Sequence, residues 1–338
     1  KMCWVSDMVE AARKAASEKS NGVLKEAEKD LWRGQCNCPY WHGLFGGVYL
    51  NYLRYAIYSH LLKAETACDT ILYGSKPWVR MDKLDYDKDG LEEILLSSRA
   101  ANAYLDPDYG GALIEWDCKD KHFNVTDTVT RKEEAYHGKL IEAQKQKQSG
   151  GQPKSIHDIM EVKEAGLENL LFYDWYQRHS FLDHFLGKDA TLEGFKKCSY
   201  PEEGDFVNQP YRVVKAESGD SSSSVLLRRQ GHVYRNGRKT PLQVEKTYRM
   251  DSKGVLRVSY AIQNLGDAPV DLWFGTEANL TLLAGNEADR YYVLDGKTGK
   301  KPRMNTEGVT PSLSKASLVD EYTKMRLDLE LDSAASMW

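Results

Sequence analysis

The chain has 338 residues, of which 41% are hydrophobic and 28% are charged, and its formal net charge is −4. This length and composition are ordinary for a globular protein of two domains with a sizeable core. No basic segment carries interleaved aromatic residues, so nucleic acid is not expected as a partner. No apolar run reaches the roughly 18 residues of a membrane span, so no membrane partner is expected either.

The six cysteines are scattered along the chain without the regular spacing of a disulfide framework. This usage favours a reducing, cytoplasmic setting. Cys36 and Cys38, with His42 shortly after them, have the spacing of half a zinc site. No second Cys/His pair with ligand spacing follows, so no metal is predicted there.

The first part of the chain carries helical periodicity. Residues 5–33 place apolar side chains among lysines and glutamates at roughly helical spacing, with a break near Asn21-Gly22. This pattern indicates a helical hairpin or a kinked helix. Residues 44–72 contain no proline and carry apolar residues at three- and four-residue steps, which predicts one long helix.

The segment between these helices, residues 35–47, is dense in aromatic, polar and glycine residues. Pro39 fixes its own φ and favours an extended or turned backbone ahead of it. Tyr40, Trp41 and His42 then offer flat rings with polar groups, which suit stacking on a sugar or another flat ligand. Composition alone equally permits a corner between helices, in which these rings belong to the core.

From about residue 77 the apolar period becomes two, in short segments separated by turn signals. The pairs that mark predicted hairpins are Asp89-Gly90, Asn236-Gly237, Lys253-Gly254 and Asp295-Gly296. We therefore predict an α+β fold, with a helical bundle in residues 1–76 and a large antiparallel β-sandwich in residues 77–338. Residues 140–155 are interpreted as a polar connector.

A candidate metal site lies at the first of these turns. Asp85, Asp87 and Asp89 alternate ahead of a glycine, so three carboxylates can converge on one calcium ion while the glycine takes the sharp turn. The EF-hand pattern fails at its twelfth position, so Glu92 or Glu93 must complete the coordination, and Glu93 is assigned. The alternative is a solvated acidic turn. No cofactor is required, and calcium would be structural.

Motifs over nearly the whole chain resemble one known family. One run extends from Trp41 to Leu50 and continues through Leu53-Arg54 to Lys63-Ala64-Glu65. The others are Asn102 to Tyr104, Gly110-Gly111, Asn124 to Arg131, Glu134 to His137, Ser155 to Asp158, Tyr173 to Tyr176, Asp183 to Leu186 and Leu283 to Asn286. Together these resemble glycoside hydrolase family 57, and within it the α-amylase/4-α-glucanotransferase branch.

The resemblance implies a retaining enzyme that acts on α-1,4-glucans or maltooligosaccharides, and a β-sandwich of the galactose-mutarotase-like kind. In this family the loop that bears Trp41 and His42 lines the sugar-binding cleft. Trp41 would stack on a glucose ring, and His42 would contact hydroxyl groups or orient a neighbour. Cys38 stands where some members carry aspartate, which leaves open a charged substrate contact there and the choice between hydrolysis and transfer.

The resemblance also implies parts that this sequence does not show. The family's catalytic carboxylates lie on an N-terminal (β/α)7 barrel, and nothing here resembles its strands. Lys1 is not an initiator methionine, and the strand predicted at residues 326–331 lies near the last residue. We therefore expect a non-barrel portion of a longer enzyme, shortened also at its C-terminal end, inactive alone and partnered by the barrel of the parent protein.

No residue of this chain is predicted to be catalytic, because no carboxylate pair stands out for the separation of about 5–5.5 Å that a retaining glycosidase needs. Asp174 beside Trp175 and Asp183 beside His184 are interpreted as hydrogen-bonding residues of the β-domain. Two other functions stay open: a non-catalytic carbohydrate-binding module and a structural scaffold. The sequence does not specify the oligomeric state.

Overall fold

The computed structural model describes residues 1–42, 46–148, 166–296 and 301–338. Within those ranges, the helices are all too short or too polar to cross a membrane. Parts of the predicted features lie outside the described residues: Gly43 to Phe45 of the aromatic loop, the end of the polar connector, and the Ser155 to Asp158 motif.

Three helices form the N-terminal region: α1 (Met2–Ala15), α2 (Asn21–Gly34) and α3 (Asn51–Tyr73). Their apolar residues recur at helical spacing and meet in one core, as Val5, Leu31 and Leu61 show with exposed fractions of 0%, 6% and 1%. Of the two predicted alternatives, a helical hairpin and a kinked helix, the structure shows two separate helices. The long helix begins at Asn51 rather than at residue 44, because Gly46 and Gly47 have φ of 105° and 52°, outside the right-handed helical region.

The remaining described residues form fourteen strands and two helices. The strands are β1 (Val79–Leu84), β2 (Glu93–Ser98), β3 (Ala101–Asp106), β4 (Ala112–Cys118), β5 (Phe123–Asn124), β6 (Leu182–Phe185), β7 (Arg212–Ser218), β8 (Ser222–Arg235), β9 (Arg238–Asp251), β10 (Leu256–Asn264), β11 (Phe274–Glu277), β12 (Arg290–Leu294), β13 (Thr310–Asp320) and β14 (Met325–Met337). The helices are α4 (Ala135–Gln148) and α5 (Leu192–Lys196). Helix α4 covers the start of the predicted polar connector. Its alanine, leucine, glutamine and lysine residues are good helix formers.

All strand pairs between these elements are antiparallel. The sheets have the orders β1-β2-β3-β4-β5, β10-β9-β8-β7, β11-β6 and β12-β13-β14. Asn236-Gly237 makes the two-residue turn between β8 and β9, with φ of 52° and 73°. This is the conformation that Asn-Gly favours in hairpins, and the hairpin predicted there is confirmed.

The two largest sheets pack face to face around one core. Ile94, Leu96 and Leu113 from the five-stranded sheet meet Val244 and Tyr248 from the four-stranded sheet, and each is no more than 1% exposed. Every second residue of β8 and β9 points into this layer, which is the period-two pattern of a half-buried strand. The predicted order of helices followed by an antiparallel β-sandwich is thus confirmed.

The helical region meets the sandwich along a charged seam, which we define as Glu65 and Asp69 of α3 together with Glu115, Asp117 and Lys119 at β4. Their exposed fractions are 5% or less. Lys119 Nζ lies 2.7 Å from the Asp69 carboxylate. These charges alternate along β4, so they share the face of the strand that α3 covers.

The charged seam is closed by further donors. Lys1 Nζ lies 2.9 Å from the Glu65 carboxylate, 3.0 Å from that of Glu115 and 2.7 Å from that of Asp117. Asn102 Nδ2 donates to Glu65 at 3.0 Å and to Asp117 at 3.1 Å. Buried charges require such partners, so the helical region and the sandwich are fixed relative to each other by paired polar groups.

Candidate functional site

The loop after α2 is held by one hydrogen bond within it and one to the end of α2. The Val48 N–H donates to the Trp41 carbonyl at 3.0 Å, and the Tyr40 hydroxyl donates to the Gly34 carbonyl at 2.5 Å. Gly47 is required at the closure: a Cβ there would clash with the Trp41 carbonyl oxygen and lie 3.0 Å from that of Cys38. The backbone therefore presents Trp41 from a short, tied loop.

The predicted ring residues of this loop lie at the surface. Tyr40 is 45% exposed and Trp41 is 53% exposed, and His42 is exposed as well. Burial raises the pKa of Tyr40 to about 12, so its hydroxyl stays protonated as a donor to Gly34. The structure therefore places these rings at the surface and outside the core.

His42 begins a contiguous set of rings that sequence reasoning did not assemble. We call His42, Tyr49, Tyr136, His137 and Tyr173 the aromatic row. The His42 ring centroid lies 5.2 Å from that of Tyr49 and 5.5 Å from that of Tyr136. Tyr136 lies 4.6 Å from His137, which stacks on Tyr173 at 5.6 Å. The row therefore runs from the helical region onto the β-domain.

The same two parts are joined by polar contacts. Arg54 of α3 donates from Nε to the Asp127 carboxylate at 2.8 Å and from its guanidinium to the Val48 carbonyl at 2.5 Å. The Tyr49 hydroxyl donates to the Glu134 carboxylate, and this hydrogen bond raises the pKa of Tyr49 to about 12. The loop is thus held against the segment that follows β5.

The acidic turn between β1 and β2 brings together three of the four predicted metal ligands. One carboxylate oxygen each of Asp85, Asp87 and Asp89 lies within 4.8 Å of the others. Gly90 has φ of 94°, as the sharp turn requires. Oxygen donors in this arrangement suit calcium. Asp87 and Asp89 also accept backbone hydrogen bonds, at 3.2 Å from the Asp89 N–H and 2.8 Å from the Leu91 N–H.

Glu93, the fourth predicted ligand, does not belong to that cluster of oxygens. Its carboxylate accepts the Tyr86 N–H at 2.6 Å and the Asp87 N–H at 3.4 Å. The residue is 1% exposed, and burial raises the pKa of its carboxyl to about 7. Glu93 therefore closes the turn from inside, because its position on β2 directs it toward the backbone of the turn.

Asp174 and Asp183 of the β-domain lie in hydrogen-bonded networks, as predicted. Burial alone would raise the pKa of Asp174, but hydrogen bonds from Arg131 and Arg178 outweigh it and lower that pKa to about 2. Asp183 lies 2.9 Å from Lys246 Nζ, and both side chains are fully buried. These carboxylates serve the structure of the β-domain.

His184 lies between two glutamates in the same domain. Its Nδ1 is 2.8 Å from the Glu202 carboxylate and its Nε2 is 3.1 Å from that of Glu277. Burial alone would lower the pKa of His184, but these two hydrogen bonds outweigh it and raise that pKa to about 9. The imidazole is therefore charged at neutral pH, and its side chain is 2% exposed. It is placed to hold β6 and β11 together rather than to meet a ligand.

Comparison with known proteins places these features in context. Residues 1–68 match the family model described as alpha-amylase/4-alpha-glucanotransferase, middle domain, and residues 85–338 match that described as alpha-amylase/4-alpha-glucanotransferase, C-terminal. Alpha-amylase 1 of Dictyoglomus thermophilum is 38% identical over 285 residues, which are 83% of this chain and 38% of that protein.

Two further comparisons concern Thermococcus litoralis. Its 4-alpha-glucanotransferase is 32% identical over 313 residues, which are 93% of this chain and 42% of that protein. The crystal structure of a 4-alpha-glucanotransferase from that organism superposes with a TM-score of 0.70 at 29% sequence identity, over 99% of this chain and 42% of that chain. The chain thus spans less than half the length of these relatives.

Proposed function

Because the chain belongs to the alpha-amylase/4-alpha-glucanotransferase family, we propose that it forms the helical region and β-domain of a retaining enzyme of glycoside hydrolase family 57 that acts on α-1,4-glucans. The names of the similar proteins, alpha-amylase and 4-alpha-glucanotransferase, support this substrate class. The catalytic carboxylates would belong to a barrel that lies outside this sequence. This chain supplies one wall of the cleft and is inactive alone, in a cytoplasmic setting that its free cysteines favour.

The observation that carries the proposal is the exposure of Trp41 on a loop that is tied at both ends. A ring that is 53% exposed offers an apolar face to the flat side of a sugar, and its indole N–H adds a donor. The backbone hydrogen bond from the Val48 N–H to the Trp41 carbonyl at 3.0 Å fixes the main chain that carries the ring before a ligand arrives. Such preorganisation reduces the entropy that binding costs.

Calorimetric titration of this chain with maltoheptaose tests the cleft wall. We expect binding by the unmodified chain and a loss of about tenfold in affinity in Trp41→Ala. Trp175→Ala is the matched control, because Trp175 is 47% exposed on the β-domain. Loss of binding in Trp175→Ala alone would point instead to a separate carbohydrate-binding module, and absence of binding by all three proteins would favour a scaffold.

Turnover provides an independent test of where the chemistry lies. The chain should not hydrolyse maltoheptaose or transfer glucosyl units from it, because the proposal places both catalytic carboxylates elsewhere. Product analysis by chromatography after a long incubation measures this. Turnover by the purified chain above a buffer control would contradict the proposal.

We also propose that the turn of Asp85, Asp87 and Asp89 holds a structural calcium ion. The convergence of one oxygen from each residue within 4.8 Å supports this. The ion would stiffen the connection between β1 and β2 and would take no part in the reaction. Glu93 would act indirectly, by fixing the backbone of the turn.

A further inference from the structure

We propose that the β-domain supplies its own residues to the glucan-binding wall, and that Tyr136 and Glu134 extend the surface that His42 and Tyr49 begin. This inference rests on the proposed function and adds a second part of the chain to the same site. The residues involved come from two places in the sequence, the loop before α3 and the start of α4.

The geometry of the aromatic row carries the inference. His42 touches both Tyr49 and Tyr136, with ring centroids 5.2 Å and 5.5 Å apart. Tyr49 is 41% exposed and Tyr136 is 37% exposed. Exposed rings in mutual contact form one continuous aromatic surface, where isolated surface rings would not.

Polar groups border this surface and indicate the kind of ligand. Glu134 accepts a hydrogen bond from the Tyr49 hydroxyl, and its backbone N–H donates to His137 Nδ1 at 3.1 Å. Phenol hydroxyls, an imidazole and a carboxylate can donate to and accept from sugar hydroxyls, while the ring faces cover the apolar side of the sugar. The negative charge of Glu134 disfavours a phosphate-bearing ligand such as a nucleic acid.

The surface is also held rigid from both sides. Arg54 fixes the loop to Asp127 at 2.8 Å, and Tyr49 fixes it to Glu134. Asp127 and Glu134 both follow β5 in the β-domain. A ligand on the aromatic row would therefore contact the helical region and the β-domain together without first having to order them.

Substitution at Tyr136 tests the inference by calorimetric titration with maltoheptaose. We expect Tyr136→Ala to weaken the affinity about fivefold, because it removes the ring, and Tyr136→Phe to change it less than about twofold. Tyr73→Ala is the matched control. Tyr73 is 40% exposed and lies at the far end of α3, about 30 Å from the loop by helix rise.

A second measurement uses the unmodified chain, so its result does not depend on whether Tyr136→Ala folds. In hydroxyl-radical footprinting read by mass spectrometry, maltoheptaose should protect Tyr49 and Tyr136 but not Tyr73. Unchanged oxidation of Tyr136, or unchanged affinity in a folded Tyr136→Ala, would overturn the inference. If Trp41→Ala still weakens binding in the same series, the proposed function is retained although the inference about Tyr136 fails. If the unmodified chain does not bind, both fail.

Discussion

Arg54 and Asp127 form an ion pair between α3 and the β-domain, with Nε and a carboxylate oxygen 2.8 Å apart. The two side chains are 12% and 14% exposed, so water screens the pair only in part. The same guanidinium holds the Val48 carbonyl. One side chain thus fixes the loop, the helix and the start of the β-domain relative to each other.

Arg54→Ala should lower the free energy of unfolding by about 3 kcal/mol, because it leaves the Asp127 carboxylate largely buried without its partner. Urea denaturation measures this. The exposed pair of Lys29 and Glu26 gives the control, since Lys29→Ala should cost less than about 0.5 kcal/mol. Asp127→Asn in the Arg54→Ala background should recover part of the loss, and strict additivity of the two changes would contradict a direct coupling.

Gly47→Ala should disrupt the loop that presents Trp41. Gly47 has φ of 52°, and an added Cβ would clash with the Trp41 carbonyl, so the loop must move. We expect a loss of more than about 1 kcal/mol in unfolding free energy and weaker binding of maltoheptaose. Gly74→Ala separates the effect of positive φ from the effect of the clash. Gly74 also has positive φ but has no atom within 4 Å of an added Cβ. It should lose stability without losing binding, and equal loss of binding in both variants would contradict a local effect.

The charged His184 should make stability depend on pH. Its folded pKa of about 9 lies above the unfolded value near 6.5, so it contributes about 3 kcal/mol below pH 6.5 that is lost as the pH rises toward 9. Urea unfolding at several pH values measures the slope. His184→Gln should be less stable at pH 6 and should lack this slope. A variant that keeps the slope would show that another group carries it.

Glu93 should also make stability fall as the pH rises, over a lower pH range than His184. Its pKa is raised to about 7 from an unfolded value near 4.5, so the folded state binds its proton more tightly and stability falls as the pH rises between those values. Measurements for His184 are therefore best compared between pH 7.5 and 9.

Calcium should stabilise the chain if the acidic turn binds it. At a Ca²⁺ concentration about a hundredfold above Kd, linkage predicts about 2.7 kcal/mol and a higher Tm than in EGTA. Asp87→Asn should abolish the difference. Asp108→Asn, a substitution of an exposed aspartate outside the cluster, should preserve it. Equal Tm values in Ca²⁺ and EGTA for the unmodified chain would rule out the site.

Local pattern was sufficient for much of the architecture. Helical spacing, the change to period two and the Asn236-Gly237 pair each depend on near neighbours, and each is visible in the chain itself. The charged seam was not predicted, because it depends on residues that are far apart in the sequence. Glu115, Asp117 and Lys119 alternate along β4 as residues of a solvent-facing strand surface would, and only α3, which is distant in sequence, makes that face an interior one.

In the candidate site, too, features of one short segment could be predicted and contacts between distant segments could not. The chemistry of Tyr40, Trp41 and His42 could be identified from one short segment, since aromatic and polar groups occur there together. Tyr136 could not be joined to them, because the contact between His42 and Tyr136 crosses more of the chain than any periodic signal covers. The Glu134 to His137 motif was the available indication, and it pointed to the family rather than to a contact with the loop.

The charged seam has a consequence for recombination between relatives. Asp69 sits on α3 and Lys119 follows β4, and each is buried against the other at 2.7 Å. A chimera that took its helices from this chain and its sandwich from a homologue without a lysine at the position of Lys119 would leave Asp69 buried without its counterpart. Segment exchange in this family should therefore succeed or fail by the matching of charges across this boundary, even where the apolar residues on both sides are interchangeable.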